Sequence, residues 1–281
     1  MTRKDIYNRA QSVAREVYGT PEGDAVTERL CADCYGFGRF EVAMDGTVEP
    51  ARFDAEEFEH ILTRIAAGEP IQYIIGWTEF FGRRFVVRPG VLIPRPETEE
   101  LVALIVRENT TPNPHIIDLG TGSGAIAVSL ACEIEGARVE ALDLSSVAVA
   151  VAGENAVANH AQVEVLQGDI FRWEPEPESY DVVVSNPPYI PTSERTEMER
   201  NVTDYEPSEA LFVPDESPLI YYQCIADCAK VALRKGGKLY FEIHERLAIE
   251  MASMLHDKGF QDVEIHHDMN SKPRMVVCRK S

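Results

Sequence analysis

The chain has 281 residues, enough for one large domain or for a medium domain with a small one, and too many for a peptide-scale scaffold. Lys and Arg number 27 against 47 Asp and Glu, a formal charge of −20, which repels phosphate backbones unless a local basic patch overrides it. With 44% hydrophobic and 26% charged residues the composition is that of a soluble globular protein, which excludes intrinsic disorder, and no run of about 18 uncharged apolar residues offers a membrane span.

The first ten residues, MTRKDIYNRA, carry charges where a secretory signal has an apolar core, so a cytoplasmic address is expected. Six cysteines (Cys31, Cys34, Cys132, Cys224, Cys228 and Cys278) are scattered rather than dense, and reduced thiols are expected. Ile6, Val13 and Val17 then recur at helical intervals up to Gly19, and Pro21 opens a second helix. Asp54 caps a third, with Glu57 in capping-box position and Phe58, Ile61, Leu62 and Ile65 on one face up to Gly68. Residues 1–70 are thus expected to form a small helical bundle.

From Ile71 to Ile93 aromatic and β-branched residues surround Gly82, which separates Thr78–Phe81 from Arg83–Val87, and 71–93 reads as a β-hairpin linker. Over 94–281 helical stretches alternate with short apolar runs, the pattern of an α/β domain with a mainly parallel sheet. The seven predicted strands are His115–Leu119, Arg138–Leu142, Val163–Gln167, Asp181–Ser185, Lys238–Ile243, Asp262–His267 and Arg274–Cys278. Pro191–Glu216, with Pro191, Pro207 and Pro214 and no periodicity, reads as a long functional loop after the fourth strand.

Asp118-Leu-Gly120-Thr-Gly122-Ser-Gly124-Ala125 lies between a predicted strand and a helical run, as in a nucleotide-type glycine loop whose turn lets a ligand approach a helix N-terminus. Gly120, Gly122 and Ala125 also satisfy a dinucleotide fingerprint, so a nicotinamide enzyme stays open at this step. Asp143 ends the next strand 19 residues past Gly124, where an acid accepts both ribose hydroxyls of an adenosine; its alternative is a helix cap shared with Ser145. After the third strand Asp169 offers an acceptor to an adenine amino group and Ile170 a face to its ring, or Asp169 is an ordinary turn residue.

After the fourth strand come Asn186-Pro187-Pro188-Tyr189. The prolines stop the strand and stiffen the turn, leaving the Asn186 side-chain oxygen and the Pro187 carbonyl to accept the hydrogens of one planar NH2 group that lies on Tyr189. Such a site orients a weakly nucleophilic nitrogen toward an electrophile, which is catalysis by positioning.

The glycine loop, the acidic strand end and the Asn-Pro-Pro-Tyr quartet resemble a class I, Rossmann-like S-adenosylmethionine-dependent methyltransferase acting on an amide or exocyclic amino nitrogen. Gly68-Glu-Pro-Ile-Gln-Tyr-Ile-Ile-Gly76 with Glu79-Phe80, and Leu92-Ile-Pro-Arg-Pro-Glu-Thr-Glu99, are similar to the release-factor glutamine N5-methyltransferase family over roughly residues 60–280. The resemblance implies that Gly120, Thr121, Gly122, Ser123 and Gly124, with Asp118, hold the methionine part of S-adenosylmethionine, Asp143 its ribose, and Asp169 and Ile170 its adenine. Asn186, Pro187, Pro188 and Tyr189 then hold the substrate glutamine, with Asn186 also beside the cofactor and Arg95 and Glu97 at the same mouth. The implied substrate is the glutamine of the Gly-Gly-Gln loop of peptide-chain release factors, docked by the helical N-terminal domain; the products are the N5-methylated amide and S-adenosylhomocysteine. Pro273 departs from the family's polar residue before Arg274.

The rival is a DNA or RNA amino-methyltransferase, which holds a flipped base with the same quartet. Pro191–Glu216 carries eight acidic residues against two arginines, a net charge of −6, which disfavours phosphates and suits either a basic protein loop or plain solvation. The best basic cluster is Arg83, Arg84 and Arg88. No metal is expected, because Cys31-Ala-Asp-Cys34 has no second Cys-x-x-Cys and His266 and His267 have no third ligand. No direct nucleic-acid partner and no membrane are expected, and a monomer is, since a large protein substrate needs a free face.

Overall fold

A computed structural model describes residues 1–44, 46–49 and 52–281. The chain forms two compact units, Met1–Trp77 with Glu199–Tyr205, and Thr78–Met198 with Glu206–Ser281.

The first unit is built from α1 (Arg3–Tyr18), α2 (Thr20–Tyr35), α3 (Arg39–Ala43), α4 (Ala55–Ala66) and α5 (Ile71–Ile75). Thr2 and Asp5 form a reciprocal capping box at the start of α1, and Asp54 Oδ1 accepts from the amides of Glu56 and Glu57 at the start of α4. The apolar stripe of α4 is buried with Ile6, Leu30 and Tyr35 around Phe58, whose full burial stabilises by about 2–3 kcal/mol. Ile71–Ile75, placed by the sequence in a hairpin linker, is helical instead. Pro70 starts this turn and Gly76, in the left-handed region, ends it, so its apolar side chains follow the helical period over too few residues to be read.

The second unit opens with the hairpin β1 (Trp77–Phe80) and β2 (Arg83–Val86), then α6 (Pro96–Glu108). Next come β3 (His115–Leu119), α7 (Ala125–Glu133), β4 (Arg138–Asp143), α8 (Ser146–Ala158), β5 (Val163–Gln167) and β6 (Tyr180–Ser185). Predicted as one loop, residues 191–216 instead contain a 3-10 turn (Thr192–Glu197), α9 (Arg200–Thr203), which belongs to the first unit, and α10 (Ser208–Leu211), and β7 (Ile190–Pro191) pairs in parallel with β8 (Phe212–Val213). Each piece is shorter than two helical turns, which is why no periodicity marks it. The chain ends with α11 (Ile220–Ala232), β9 (Leu233–Glu242), α12 (Ala248–Asp257), β10 (Gln261–His267) and β11 (Pro273–Arg279).

Seven strands form one sheet in the order β10-β11-β9-β6-β3-β4-β5, parallel except for β11, which runs antiparallel to both neighbours. One side packs Leu101, Ile105, Val128 and Leu130, the other Tyr222, Ile225, Met251 and Leu255. Strands buried on both faces read as continuous apolar runs, and so were legible in the sequence. β9 begins five residues earlier than predicted, because Arg-Lys-Gly-Gly reads as a turn but continues the strand across a register shift.

Candidate functional site

β3 has β4 on one side and β6 on the other, so the sheet reverses its winding there, and ligands of open α/β sheets bind beyond the strand C-termini at such a point. Asp118, Asp143, Asp169 and Asn186 all lie at or just past the C-terminal ends of β3, β4, β5 and β6. Asp118 pairs in register with Val184, which sets Asn186 beside the glycine loop.

The loop is already strongly hydrogen-bonded. The amides of Gly120 and Thr121 donate to Leu142 O, that of Gly122 to Asp143 Oδ2, and that of Gly124 to Thr121 O. These amides fix the turn rather than lie open to a ligand, which the sequence alone had suggested. Ser123 is buried, and its carbonyl accepts from Asn155 Nδ2 of α8; the same Asn155 exchanges two bonds with Val86 and so ties β2 to the loop. Gly122 has φ +56° with open space where a side chain would begin. Gly124 has φ +80°, and a Cβ there would sit 3.0 Å from Ala152 Cβ and 3.1 Å from its Cα. Gly124→Ala is therefore expected to destabilise by about 2–3 kcal/mol through left-handed backbone and helix contact together, read as a lower urea midpoint at unchanged slope.

Asp118 is fully buried; its Oδ2 accepts from Thr121 Oγ1 at 2.6 Å, and its Oδ1 has no hydrogen-bond partner among the described residues. Burial pushes its carboxyl up to about 7, against the Thr121 hydroxyl and the Ala127 amide, which favour the ionised form. Asp143 is also raised by burial, opposed by the amides of Ser145, Gly122 and Leu144. Ser145 itself caps α8, accepting from Ala148 N. Asp143 thus braces the glycine loop through Gly122, a part of its work that spacing does not reveal. Asp169 caps the 3-10 turn Ile170–Arg172 through the Phe171 amide, and buried Ile170 lies 3.7 Å from where a Gly120 side chain would start.

Past β6, Pro187 is buried and Asn186 half-buried. Asn186 Nδ2 donates to Thr98 Oγ1 at 3.3 Å, Thr98 donates to Glu242 Oε2 at 2.6 Å, and Tyr189 donates to Glu242 Oε1 at 3.1 Å. Burial raises the Glu242 carboxyl, opposed by these two hydrogen bonds and by Arg274; it also raises the Tyr189 phenol, which faces Glu242. Arg274 is held by Asp268, so this arginine lies within the field of Tyr189 and Glu242 despite the preceding Pro273.

Arg95 donates to Glu206 Oε1 at 2.6 Å, while Glu206 Oε2 accepts from Ile93 N. Its charge also reaches Tyr189, and that of Glu97 reaches Glu242. Glu206 is buried, Glu194 bonds His244 and Arg246 beyond the segment, and exposed Asp215 accepts from the amide and hydroxyl of Ser193 within it. In the basic hairpin cluster, Arg83 pairs with Glu133 and Arg88 with Glu154. Burial raises the thiols of Cys31 and Cys34 to about 12 and about 11, which keeps both protonated in the metal-free chain.

Thr98, Asn155, Glu206 and Glu242 had no assigned role in the sequence. The signal for Glu242 was a lone acid ending the apolar run Lys238–Ile243; Thr98 stood unassigned within the Pro-Arg-Pro-Glu-Thr-Glu segment. For Asn155 and Glu206 nothing local distinguishes them from surface residues.

Residues 98–203 match a family described as "Methyltransferase small domain", and residues 5–76 match the "PrmC N-terminal domain". The chain is 43% identical over 267 residues to a release factor glutamine methyltransferase of Bacteroides thetaiotaomicron, covering 95% of this chain and 96% of the relative. It is 45% identical over 218 residues to one of Lactococcus lactis subsp. lactis, covering 77% and 79%. A solved methyltransferase of Pyrococcus furiosus shares the fold, with a TM-score of 0.53 at 17% identity over 72% of this chain and 90% of that one.

Proposed function

The chain belongs to the release factor glutamine methyltransferase family, and from this we propose that it transfers a methyl group from S-adenosylmethionine to the side-chain amide nitrogen of the Gly-Gly-Gln glutamine in peptide-chain release factors. The observation that carries the reading is the Asn-Pro-Pro-Tyr quartet at the end of β6, with β3 and the glycine loop as its neighbour.

The residues present fit the cofactor. Asp118 Oδ1, buried and unpartnered, matches an ammonium group, and the open space beyond Gly122 leaves room for a methionine chain near the N-terminus of α7. Each Asp143 oxygen accepts from one backbone amide, Gly122 at Oδ2 and Ser145 at Oδ1, and so keeps a lone pair for a ribose hydroxyl, and Ile170 offers an apolar face to adenine. When bound, the cofactor supplies a methyl group made electrophilic by its sulfonium.

The protein's own part is alignment. An amide nitrogen is a poor nucleophile because its lone pair is delocalised into the carbonyl. Hydrogen bonds from the substrate NH2 to Asn186 Oδ1 and the Pro187 carbonyl orient it and disperse the positive charge that grows on nitrogen during attack. Tyr189, anchored by Glu242, supports the planar amide, and the Arg95–Glu206 pair braces the mouth.

The helical unit serves as the docking surface for the release factor, and the enzyme works in the cytoplasm as a monomer without nucleic acid. Among the described residues no helix is long and apolar enough to cross a membrane. A nucleic-acid acceptor is disfavoured by the −6 net charge of 191–216 and by the pairing of Arg83 and Arg88. Methyl transfer from labelled S-adenosylmethionine to a purified release factor, DNA and tRNA in parallel, with mass spectrometry locating the methyl, tests the reading. Label on the Gly-Gly-Gln glutamine supports it, and label on nucleic acid alone overturns the substrate while keeping the fold and cofactor.

A further inference from the structure

We propose that Thr98 and Glu242 are positioning residues that decide which end of the Asn186 carboxamide faces the substrate. The inference rests on the reading of Asn186 as the acceptor for a substrate NH2 group.

A side-chain carboxamide has two ends of nearly equal shape and opposite hydrogen-bonding character. Only the oxygen end can accept from a substrate amide; with the NH2 end outward, donor would face donor. The choice follows from proton counting along the chain Asn186–Thr98–Glu242. Burial works against ionisation of Glu242, but both its oxygens receive a donor, Thr98 at Oε2 and Tyr189 at Oε1, and these bonds with the Arg274 charge favour the ionised form, which only accepts. Thr98 has a single hydroxyl proton, and since the carboxylate 2.6 Å away has none to give, that proton must lie toward Glu242. The Thr98 oxygen can therefore only accept on its other side, and only the NH2 end of Asn186 can supply that bond. Oδ1 is left directed away from Thr98, free to receive the substrate.

Burial makes the choice strict. Thr98 is 5% exposed and Glu242 1% exposed, so water has little room to replace a misplaced donor, and a reversed carboxamide would set its oxygen against the lone pairs of Thr98. The chain also joins distant segments: Thr98 comes from the first turn of α6, Glu242 from the end of β9, and Asn186 and Tyr189 from the turn after β6. The same carboxylate thus holds both polar side chains of the quartet. Tyr222, whose hydroxyl donates to the Glu242 carbonyl, fixes the backbone beneath it.

The test compares Thr98→Val, which keeps shape without the hydroxyl, with Thr98→Ser, which keeps the hydroxyl, in the full chain with release factor and S-adenosylmethionine. Thr98→Val is expected to lower kcat about 10- to 100-fold, with KM for the release factor and Kd for the cofactor within about threefold of the parent, and Thr98→Ser to recover kcat to within about threefold. Equal losses in both variants, or an unchanged kcat in Thr98→Val, overturn the proposal. A second measurement needs no substrate. The side-chain 15NH2 signal of Asn186, assigned by its absence in Asn186→Ala, is expected to exchange with water more slowly in the parent and Thr98→Ser than in Thr98→Val. Equal exchange in all three overturns the orientation device whatever the acceptor. Failure of the parent to methylate glutamine, with the exchange difference intact, overturns the substrate reading alone.

Discussion

Asn186→Ala is expected to lower kcat for methyl transfer by about 100- to 1,000-fold, the range found when one preorganised partner of a transition-state charge is removed. The reason lies in the order of events at the substrate nitrogen. In the ground state the amide is planar and its NH2 hydrogens carry modest positive charge. As the nitrogen attacks, that charge grows, and an acceptor already aimed at it contributes more to the transition state than to binding. Loss in kcat should therefore exceed any change in KM. Cofactor affinity should stay within a few fold, because the glycine loop is held by Leu142, Asp143 and Asn155, none of which relies on Asn186. Single-turnover transfer and calorimetry with S-adenosylmethionine read the two quantities separately. An unchanged turnover would remove Asn186 from the chemistry.

The second large effect is the contribution of Asp118 to the stability of the cofactor-free protein, which is expected to be lost as pH rises from about 4 to about 7. In the folded chain burial holds this carboxyl up to about 7, whereas in the unfolded chain it titrates near its ordinary 3.8. Between those values the native state binds a proton that the unfolded state has lost, so raising the pH favours unfolding. The stabilisation is complete below the unfolded value and lost as pH passes the folded one. Three units at 1.36 kcal/mol each set its size at about 4 kcal/mol. Asp118→Asn lacks the titration, so the difference in urea midpoint between parent and variant should change steadily over this window and flatten above it. A cationic ligand at Oδ1 favours the ionised form, and saturating S-adenosylmethionine should flatten the slope in the parent. A difference independent of pH would show that Asp118 is ionised throughout.

Much of this architecture could be read without coordinates. His115–Leu119 and Asp181–Ser185 are largely buried on both faces, so their strands show as short apolar runs, Ile116-Ile117 and Val182-Val183-Val184. Asp118 and Asn186 stand where those runs stop and Asp143 where Arg138–Asp143 ends, so all three polar residues lie along one edge of the sheet. The short helix Ile71–Ile75 and the pieces within 191–216 escaped notice because a repeat needs more than one or two turns to show itself. Glu206 looked like one acid among eight, and only folding turns it inward to Arg95 and Ile93.

The sequence by itself determined the succession of strands and helices, the chemical types at the strand ends and the Asn-Pro-Pro-Tyr quartet, because these depend on local pattern and on residues adjacent in the chain. Only the tertiary structure decided how the quartet is oriented. Asn186 and Glu242 lie 88 and 144 residues from Thr98, and a hydrogen bond acquires direction only when both partners share one buried space. The same holds for Asp118: its unpartnered oxygen and raised carboxyl follow from exclusion of water by neighbours brought from α7 and β4, a property of the packed fold that no reading of spacing contains.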